Sequence, residues 1–301
     1  MAHKNQTNWS PFTARRTKSA TGGARPPSVA GTRHRRPLES FSLEEADDRV
    51  YDVFRHHGFG ELEHETRRKL TEFYVLLMQN QAEQNFTRLT SLREIALKHL
   101  IDSLMPARLT ELRFPLLDVG TGPGFPGIPL KILYPDNVVG LAEGVQKRVE
   151  FLKTARQALG LTGLPIFGRN INDDFRYQFQ GVITRAVEDA RNTLGNVINC
   201  LPIGGRVYLM KGPNCDPEIP MALKAWGPYY RLAGNIAYAL PESPHQRRLL
   251  IFEKLAHLEL PDDLTDRAWA EANQPEDAAE AAFLRRALRL AGPVDEPSGD
   301  A

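Results

Sequence analysis

Apolar positions recur at two different spacings along this chain. In the first third they follow the helical spacing of three or four residues, as at Phe73 and Leu77. Ser42 and Ser91 each stand three residues before a glutamate, which is the capping-box pattern that begins a helix. From Pro115 onward, short apolar runs alternate with helical stretches, as in a parallel sheet with crossover helices. The helices predicted before Pro115 cover about residues 43–58, 62–83 and 92–105.

Seven apolar runs in the second part of the chain predict the strands of one sheet. Five short runs read as parallel strands, and two longer runs, joined through residues 241–244, read as a closing hairpin. Helices are expected from the glycine loop to a point before Pro135, and over 147–159 and 190–201. The predicted strands are residues 116–119, 138–143, 164–167, 181–184, 204–210, 229–240 and 246–254. The pattern predicts an α/β, Rossmann-like sheet that is mostly parallel, with an antiparallel C-terminal hairpin and a small helical cap before it.

Charge and composition divide the chain into four segments. The first 38 residues carry eight Lys or Arg and no acid, whereas the last 46 carry four Arg and eleven Asp or Glu. The residues between them are neutral, with 26 of each sign. A polar, proline- and glycine-rich basic segment is typical of disorder. The expected organisation is a disordered basic tail over 1–38, the helical cap over 39–110, the core over 111–255, and an acidic extension with one helix over 256–301.

Bulk composition is typical of a soluble cytoplasmic protein. Hydrophobic residues make up 42% and charged residues 25% of the chain. No apolar run approaches the roughly 20 residues that cross a bilayer. The two cysteines, Cys200 and Cys215, form no disulfide framework and fit a reducing compartment.

Three spaced glycines follow the first predicted strand. Gly120, Gly122 and Gly124 permit positive φ angles and let a ligand approach the backbone, and the next helix presents free N–H groups. Residues 122–127 fit the G-x-G-x-x-G fingerprint of dinucleotide sites. The wider pattern, which begins at Asp118, reads better as the S-adenosylmethionine loop of class I methyltransferases. Glu143 ends the second strand, roughly 20 residues later, where a carboxylate can take both ribose hydroxyls of either ligand.

Residues 118–130 resemble the signature of the RsmG (GidB) family, the bacterial small-subunit rRNA guanine-N7 methyltransferases. Further short blocks occur in the order of that family, and the resemblance covers roughly residues 43 to 254. The matching blocks are residues 85–87, 99–104, 147–152, 184–187 and 211–212. The resemblance implies a class I methyltransferase fold, S-adenosyl-L-methionine as cofactor, and 16S rRNA or the small ribosomal particle as partner, with the chain expected to be a monomer.

The resemblance also implies which residues bind each ligand. Arg185 and Lys211, at the ends of the fourth and fifth strands, are expected to contact RNA. Ile171 departs from the family, which has a glutamate at that position, so only backbone contacts to adenine are expected unless Asp173 or Asp174 supplies the acid. The expected cofactor-binding residues are Gly120, Gly122, Gly124, Phe125, Glu143, Asn170, Ile171 and Arg185.

Methyl transfer to guanine N7 explains why the sequence shows no catalytic triad or metal cluster. N7 has an in-plane lone pair and attacks the sulfonium methyl directly, so the enzyme has to align the reactants and exclude water. Asp102 is a catalytic candidate because a carboxylate would stabilise the cationic product ring. His99 lies three residues before it, on the same helical face.

Three other functions are weighed against this one. An NAD-dependent oxidoreductase is disfavoured because Pro123 and Pro126 crowd the pyrophosphate position and no hydride-transfer partner is apparent. A cytosine-C5 methyltransferase needs an activated cysteine, and both cysteines look structural. A non-enzymatic RNA-binding or ribosome-assembly protein that retains the fold stays open. The basic tail is read as a solubility segment, an electrostatic arm on rRNA, or an organelle transit peptide.

Overall fold

The computed structural model describes Glu39, residues 41–185 and residues 187–258. The basic tail and the helix expected in the acidic extension lie outside the described residues.

Two long helices begin the described chain. Helix α1 covers Leu43–His56, and α2 covers His64–Gln84. The capping box predicted at the start of α1 is confirmed, since the Ser42 hydroxyl accepts the Glu45 N–H and the Glu45 carboxylate accepts the Ser42 N–H, each at 3.2 Å. Asn85, in the left-handed conformation, ends α2.

The third helical stretch is longer than predicted and irregular. It consists of α3, Leu92–Ile95, a π-helical segment, Ala96–Ile101, and α4, Asp102–Leu109. The Ser91 hydroxyl accepts the Glu94 N–H, so the predicted start is confirmed. The stretch runs beyond the predicted end near residue 105, with Pro106 inside α4.

Within the described residues, seven strands form one sheet in the order β3-β2-β1-β4-β5-β7-β6. The first five strands are parallel, and β7 is antiparallel to both β5 and β6. The predicted fold class, including the antiparallel hairpin, is confirmed. The strands are β1 Leu116–Val119, β2 Val139–Ala142, β3 Ile166–Phe167, β4 Gly181–Arg185, β5 Arg206–Lys211, β6 Tyr230–Ala239 and β7 Gln246–Lys254.

Four further helices connect these strands. They are α5 Gly127–Leu133, α6 Gln146–Ala158, α7 Ala190–Asn196 and α8 Glu218–Trp226. The helix predicted over 190–201 is divided, because a 3₁₀ turn at Ile198–Cys200 follows α7. Helix α8 was not predicted. None of the described helices combines the length and the apolar character that a bilayer span needs.

Neighbouring strand residues face two different apolar clusters, as the alternation of a pleated strand requires. Leu116 and Ile183 belong to the first cluster, whereas Leu117 and Val182 belong to the second. The first cluster also contains buried residues of α1, α2 and the 92–109 stretch, such as Phe54, Phe73 and Leu100. The helices that precede the sheet therefore share a core with one of its faces.

Candidate functional site

The glycine loop leaves β1 with three left-handed residues. The φ angles are +68° at Gly120, +60° at Gly122 and +111° at Gly124. A Cβ atom at Gly120 would lie 2.6 Å from Val187 Cγ2, and one at Gly124 would lie 2.5 Å from Ile128 Cδ1. A Cβ at Gly122 would meet nothing within 4 Å. Packing thus requires the outer two glycines, whereas Gly122 faces open space where a ligand can approach.

Asp118 fixes both ends of this loop. Its Oδ2 accepts the Thr121 hydroxyl at 2.6 Å and the Gly127 N–H at 2.7 Å. The side chain is fully buried, and burial raises the pKa of the carboxyl to about 7, although both hydrogen bonds oppose the shift. Because its contacts are internal, Asp118 shapes the loop and does not line the open space beside Gly122.

Glu143 lies beside Gly122, directly after β2. One carboxylate oxygen accepts the Gly122 N–H at 2.9 Å, and the other accepts the Val145 N–H at 2.8 Å. A carboxylate has about four acceptor positions, so it can also accept from the two hydroxyls of a ribose. An open glycine turn next to a carboxylate fits the nucleoside of S-adenosylmethionine.

Asn170 and Ile171 follow the short strand β3. The Asn170 side chain lies against Gly144, since a Cβ there would be 2.2 Å from the Asn170 Oδ1. Ile171 is buried in the second apolar cluster, so its side chain points into the core. Of the two acids considered as replacements for the family glutamate, Asp174 forms an ion pair with Arg169, whereas Asp173 is exposed. The backbone of residues 170 and 171 is available for an adenine contact, and Asp173 is the acid that the ion pair does not occupy.

Arg185, the last residue of β4, reaches across to the 92–109 helical stretch. Its guanidinium donates to the Lys98 carbonyl at 3.3 Å and approaches His99 Nδ1 at 3.2 Å and Asp102 Oδ2 at 3.6 Å. His99 and Asp102 therefore share one face, as their spacing predicts. Burial raises the pKa of Asp102, and the nearby guanidinium groups oppose that shift.

The His99 ring joins three other predicted blocks. Burial, together with the Arg185 charge, lowers the pKa of His99 to about 3, so the imidazole is neutral. Nδ1 accepts from Arg185, and Nε2 therefore carries the proton and donates to Thr87 Oγ1 at 3.0 Å. The ring also stacks on Phe125, with 4.7 Å between centroids. Residues that are far apart in sequence meet beside the glycine loop.

The sequence did not predict that Arg247 lies at this site. It stands on β7, and its Nε lies 3.4 Å from Asp102 Oδ1, so two guanidinium groups share one carboxylate. Arg247 carries no local signal, because it sits within a Gln-Arg-Arg run at the start of an ordinary antiparallel strand.

Lys211 ends β5, and Arg185 ends the adjacent strand β4, as predicted. The Lys211 ammonium lies 2.9 Å from Glu218 Oε2 and also donates to the Glu188 carbonyl. Only 10% of the Lys211 side chain is exposed. The structure therefore brings Lys211 to the predicted edge of the sheet but directs its charge inward.

Neither cysteine is an activated nucleophile. Cys200 is fully buried, and burial raises the pKa of its thiol to about 12. Burial also raises the pKa of Cys215. Since the thiolate is the reactive form, both side chains fit the structural role predicted for them.

The chain is similar to methyltransferases of the small ribosomal subunit. The family model described as rRNA small subunit methyltransferase G, GidB, matches residues 66–228. A ribosomal RNA small subunit methyltransferase G 2 from Bdellovibrio bacteriovorus is 57% identical over 231 residues, which are 77% of this chain and 91% of that protein. The methyltransferase G of Carboxydothermus hydrogenoformans is 33% identical over 211 residues, 64% of this chain and 86% of that protein.

Similarity to solved structures is weaker. A methyltransferase from Pyrococcus furiosus has a TM-score of 0.43 and 14% identity, and the match covers 62% of this chain and 98% of that one. A similarity this low supports no inference about function.

Proposed function

Because this chain belongs to the rRNA small subunit methyltransferase G (GidB) family, we propose that it transfers a methyl group from S-adenosylmethionine to N7 of a guanine in 16S rRNA. The observation that carries the proposal is the meeting of the family blocks at one edge of the sheet. Gly122 and Glu143 lie together there, and Thr87, His99 and Arg185 form one chain of polar contacts beside Phe125. Such an edge is where ligands bind in open α/β sheets.

S-adenosylmethionine supplies, when bound, a methyl group on a positively charged sulfur. The N7 lone pair forms the new N–C bond while the C–S bond breaks and sulfur keeps its electron pair. No proton moves, so a general base is not needed. The protein has to bind, orient and exclude water. In this proposal the glycine loop and Glu143 hold the nucleoside part of the donor, with backbone contacts from residues 170 and 171 to the adenine.

Asp102 is best placed as a positioning residue. It is 3% exposed, and its carboxylate lies between the guanidinium groups of Arg185 and Arg247. Its charge is therefore already compensated by two cations and is not free to stabilise the cationic product. Asp102 instead sets the direction of Arg185, whose guanidinium also lies 5.3 Å from the centre of the Phe125 ring.

Arg185 is proposed to contact both the donor and the RNA. It ends β4 beside the glycine loop, and 16% of its side chain is exposed. A guanidinium has five N–H donors, so one that is held by three protein partners is oriented in advance and still has donors for a phosphate or a guanine edge. The cytoplasm is the compartment that this substrate implies.

Methyl transfer to small-subunit particles tests the proposal. Full-length protein is incubated with tritiated S-adenosylmethionine and small-subunit particles from cells that lack this modification, and deproteinised 16S rRNA is used in parallel. We expect label in one guanine, identified as N7-methylguanine by nuclease digestion and chromatography. Donor binding without transfer to either substrate would favour the non-enzymatic RNA-binding function. Binding of NAD in preference to S-adenosylmethionine would favour the oxidoreductase.

A further inference from the structure

Lys211 and Glu218 form an ion pair that contacts the segment between β4 and α7. Glu218, the first residue of α8, accepts the Ala190 N–H at 2.7 Å and the Lys211 ammonium at 2.9 Å, both at Oε2. Lys211 also donates to the Glu188 carbonyl. The backbone at residues 188 and 190 is therefore attached to one ion pair, in which 10% of the Lys211 side chain and 27% of the Glu218 side chain are exposed. We call Lys211, Glu218 and their contacts to residues 188 and 190 the clamp.

The clamped segment covers the first glycine of the cofactor loop. Val187 stands next to Glu188 and lies so close to Gly120 that a Cβ atom there would be 2.6 Å from Val187 Cγ2. Val187 is nevertheless 43% exposed, so one side of the side chain stays open to solvent. An apolar side chain that packs on the glycine loop on one side and faces solvent on the other is placed to contact whatever binds along the loop.

We propose that Lys211 and Glu218 are positioning residues for the methyl donor, and that they act by holding Val187 over the Gly120 end of the loop. This inference rests on the proposed function. It replaces the phosphate contact expected of Lys211, because the ammonium already has a carboxylate and a carbonyl as partners and is largely shielded from solvent. Because the ion pair already orders residues 187–190, donor binding does not have to lose conformational entropy in this segment.

The clamp and a phosphate contact predict different results for Lys211→Met. Without the ammonium the segment at 187–190 samples more conformations, so we expect the Kd of the donor, measured by calorimetry without RNA, to rise roughly tenfold. The KM for the donor should rise with it, whereas kcat at saturating donor should change less than about twofold. The logarithmic salt slope of RNA binding should equal that of the wild type. A phosphate contact would instead leave donor affinity intact and lower the slope by about one.

Glu218→Gln also distinguishes the clamp from a phosphate contact by Lys211. The amide keeps one oxygen that can accept from Ala190 and Lys211 but loses the negative charge, so it weakens the attraction for the ammonium, and we expect a weaker donor affinity in the same direction as for Lys211→Met. On the phosphate model the same change frees the Lys211 charge and strengthens RNA binding. Hydrogen exchange at residues 187–190 in donor-free protein supplies a readout that does not depend on activity, and it should accelerate in both variants. Lys211→Arg should restore most of the donor affinity, since it keeps the charge and the donors.

Lys224→Met is the matched control, because Lys224 is an exposed lysine on the same helix, α8. It should leave donor affinity, exchange and salt slope unchanged. The inference is overturned if Lys211→Met and Lys224→Met bind the donor equally well while the wild type binds it and methylates small subunits. A wild-type protein that neither binds the donor nor transfers methyl groups would overturn the proposed function instead.

Discussion

The Arg185 guanidinium lies 3.6 Å from the Asp102 carboxylate, across the boundary between the end of β4 and the start of α4. Arg247 approaches the same carboxylate from β7 at 3.4 Å. One nearly buried acid thus joins the helical stretch that precedes the sheet to two of its strands. The position of Arg185 beside the glycine loop depends on this shared contact.

Replacing Asp102 with asparagine should destabilise the protein by about 3 kcal/mol, because it leaves two partly buried guanidinium groups without their counter-charge. Urea unfolding of the full-length chain measures the change. Arg231→Ala is the comparison, since Arg231 pairs with Glu253 at 2.6 Å but is 56% exposed, and such surface pairs contribute about 0–1 kcal/mol. Equal losses in the two variants would contradict the role assigned to Asp102.

Gly122→Val should abolish or strongly weaken donor binding in a folded protein. Gly122 has a φ of +60° and open space before it, so the new side chain would occupy the region assigned to the ligand. Gly160→Val is a matched control, because Gly160 has a φ of +61° and open space as well but lies after α6, away from the loop. Both variants carry the backbone penalty of a positive φ. Calorimetry should show unchanged affinity for Gly160→Val, and equal affinity for both variants would refute the assignment of the loop.

Asp118 should make stability fall as pH rises between about 4 and 7. Burial raises the pKa of this carboxyl from 3.8 to about 7, so in that window the folded protein holds a proton that the unfolded chain has released. The free energy of unfolding then decreases by up to about 1.4 kcal/mol per pH unit and levels off above pH 7. Asp118→Asn keeps an acceptor for Thr121 and Gly127 but removes the titration.

The measurement is chemical unfolding of the wild type and Asp118→Asn at several pH values from 4 to 8. The stability of the wild type relative to this variant should fall as pH rises and become constant above pH 7. Asp48→Asn, on the exposed side of α1, controls for the loss of one carboxylate. Parallel curves for the wild type and Asp118→Asn would contradict the expected titration.

Deleting residues 1–37 should leave donor binding unchanged and weaken RNA binding at low salt. Eight Lys or Arg and no acid occur in the first 38 residues. Counterion release scales with the number of phosphates neutralised, so the difference between full-length and truncated protein should shrink as salt rises. The methylated nucleotide should not change, because contacts to phosphate carry no sequence information.

RNA titrations at several salt concentrations test the role of the basic segment. A full-length variant with glutamine at the eight basic positions keeps the chain length and should behave like the truncated protein. If the truncated protein binds RNA as tightly as the wild type at low salt, the segment does not contact RNA, and the solubility and transit-peptide interpretations remain.

Features set by neighbours in sequence were predictable. The capping box at Ser42, the positive φ angles at Gly120, Gly122 and Gly124, and the seven strands depend on short stretches of chain, and the structure has them. The directions of the strands, mostly parallel with an antiparallel hairpin at the end, followed from the alternation of elements and from the hairpin that closes the chain.

Features set by distant partners were not predictable. Nothing near Lys211 indicates that Glu218 and the Glu188 carbonyl take its charge, and nothing near Asp102 points to Arg247. Helix α8 was not predicted, and it begins directly after Pro217 with Pro220 in its first turn, where proline is tolerated. The direction of the Ile171 side chain, into the core, likewise depends on packing across the sheet.

Two contacts of the N-terminal helices with the closing hairpin can form only late in synthesis. Arg247 follows its partner Asp102 by 145 residues. Pro241, whose carbonyl lies 2.5 Å from His57 Nδ1, follows His57 by 184 residues. Chains leave the ribosome N-terminus first, so the helices that precede the sheet are made before most of its strands, and these contacts form only after the hairpin has been synthesised. A chain that stops before Pro241 would therefore lack the partner of His57 and the second counter-charge on Asp102, and the first apolar cluster would lack Leu249 and Ile251 of β7.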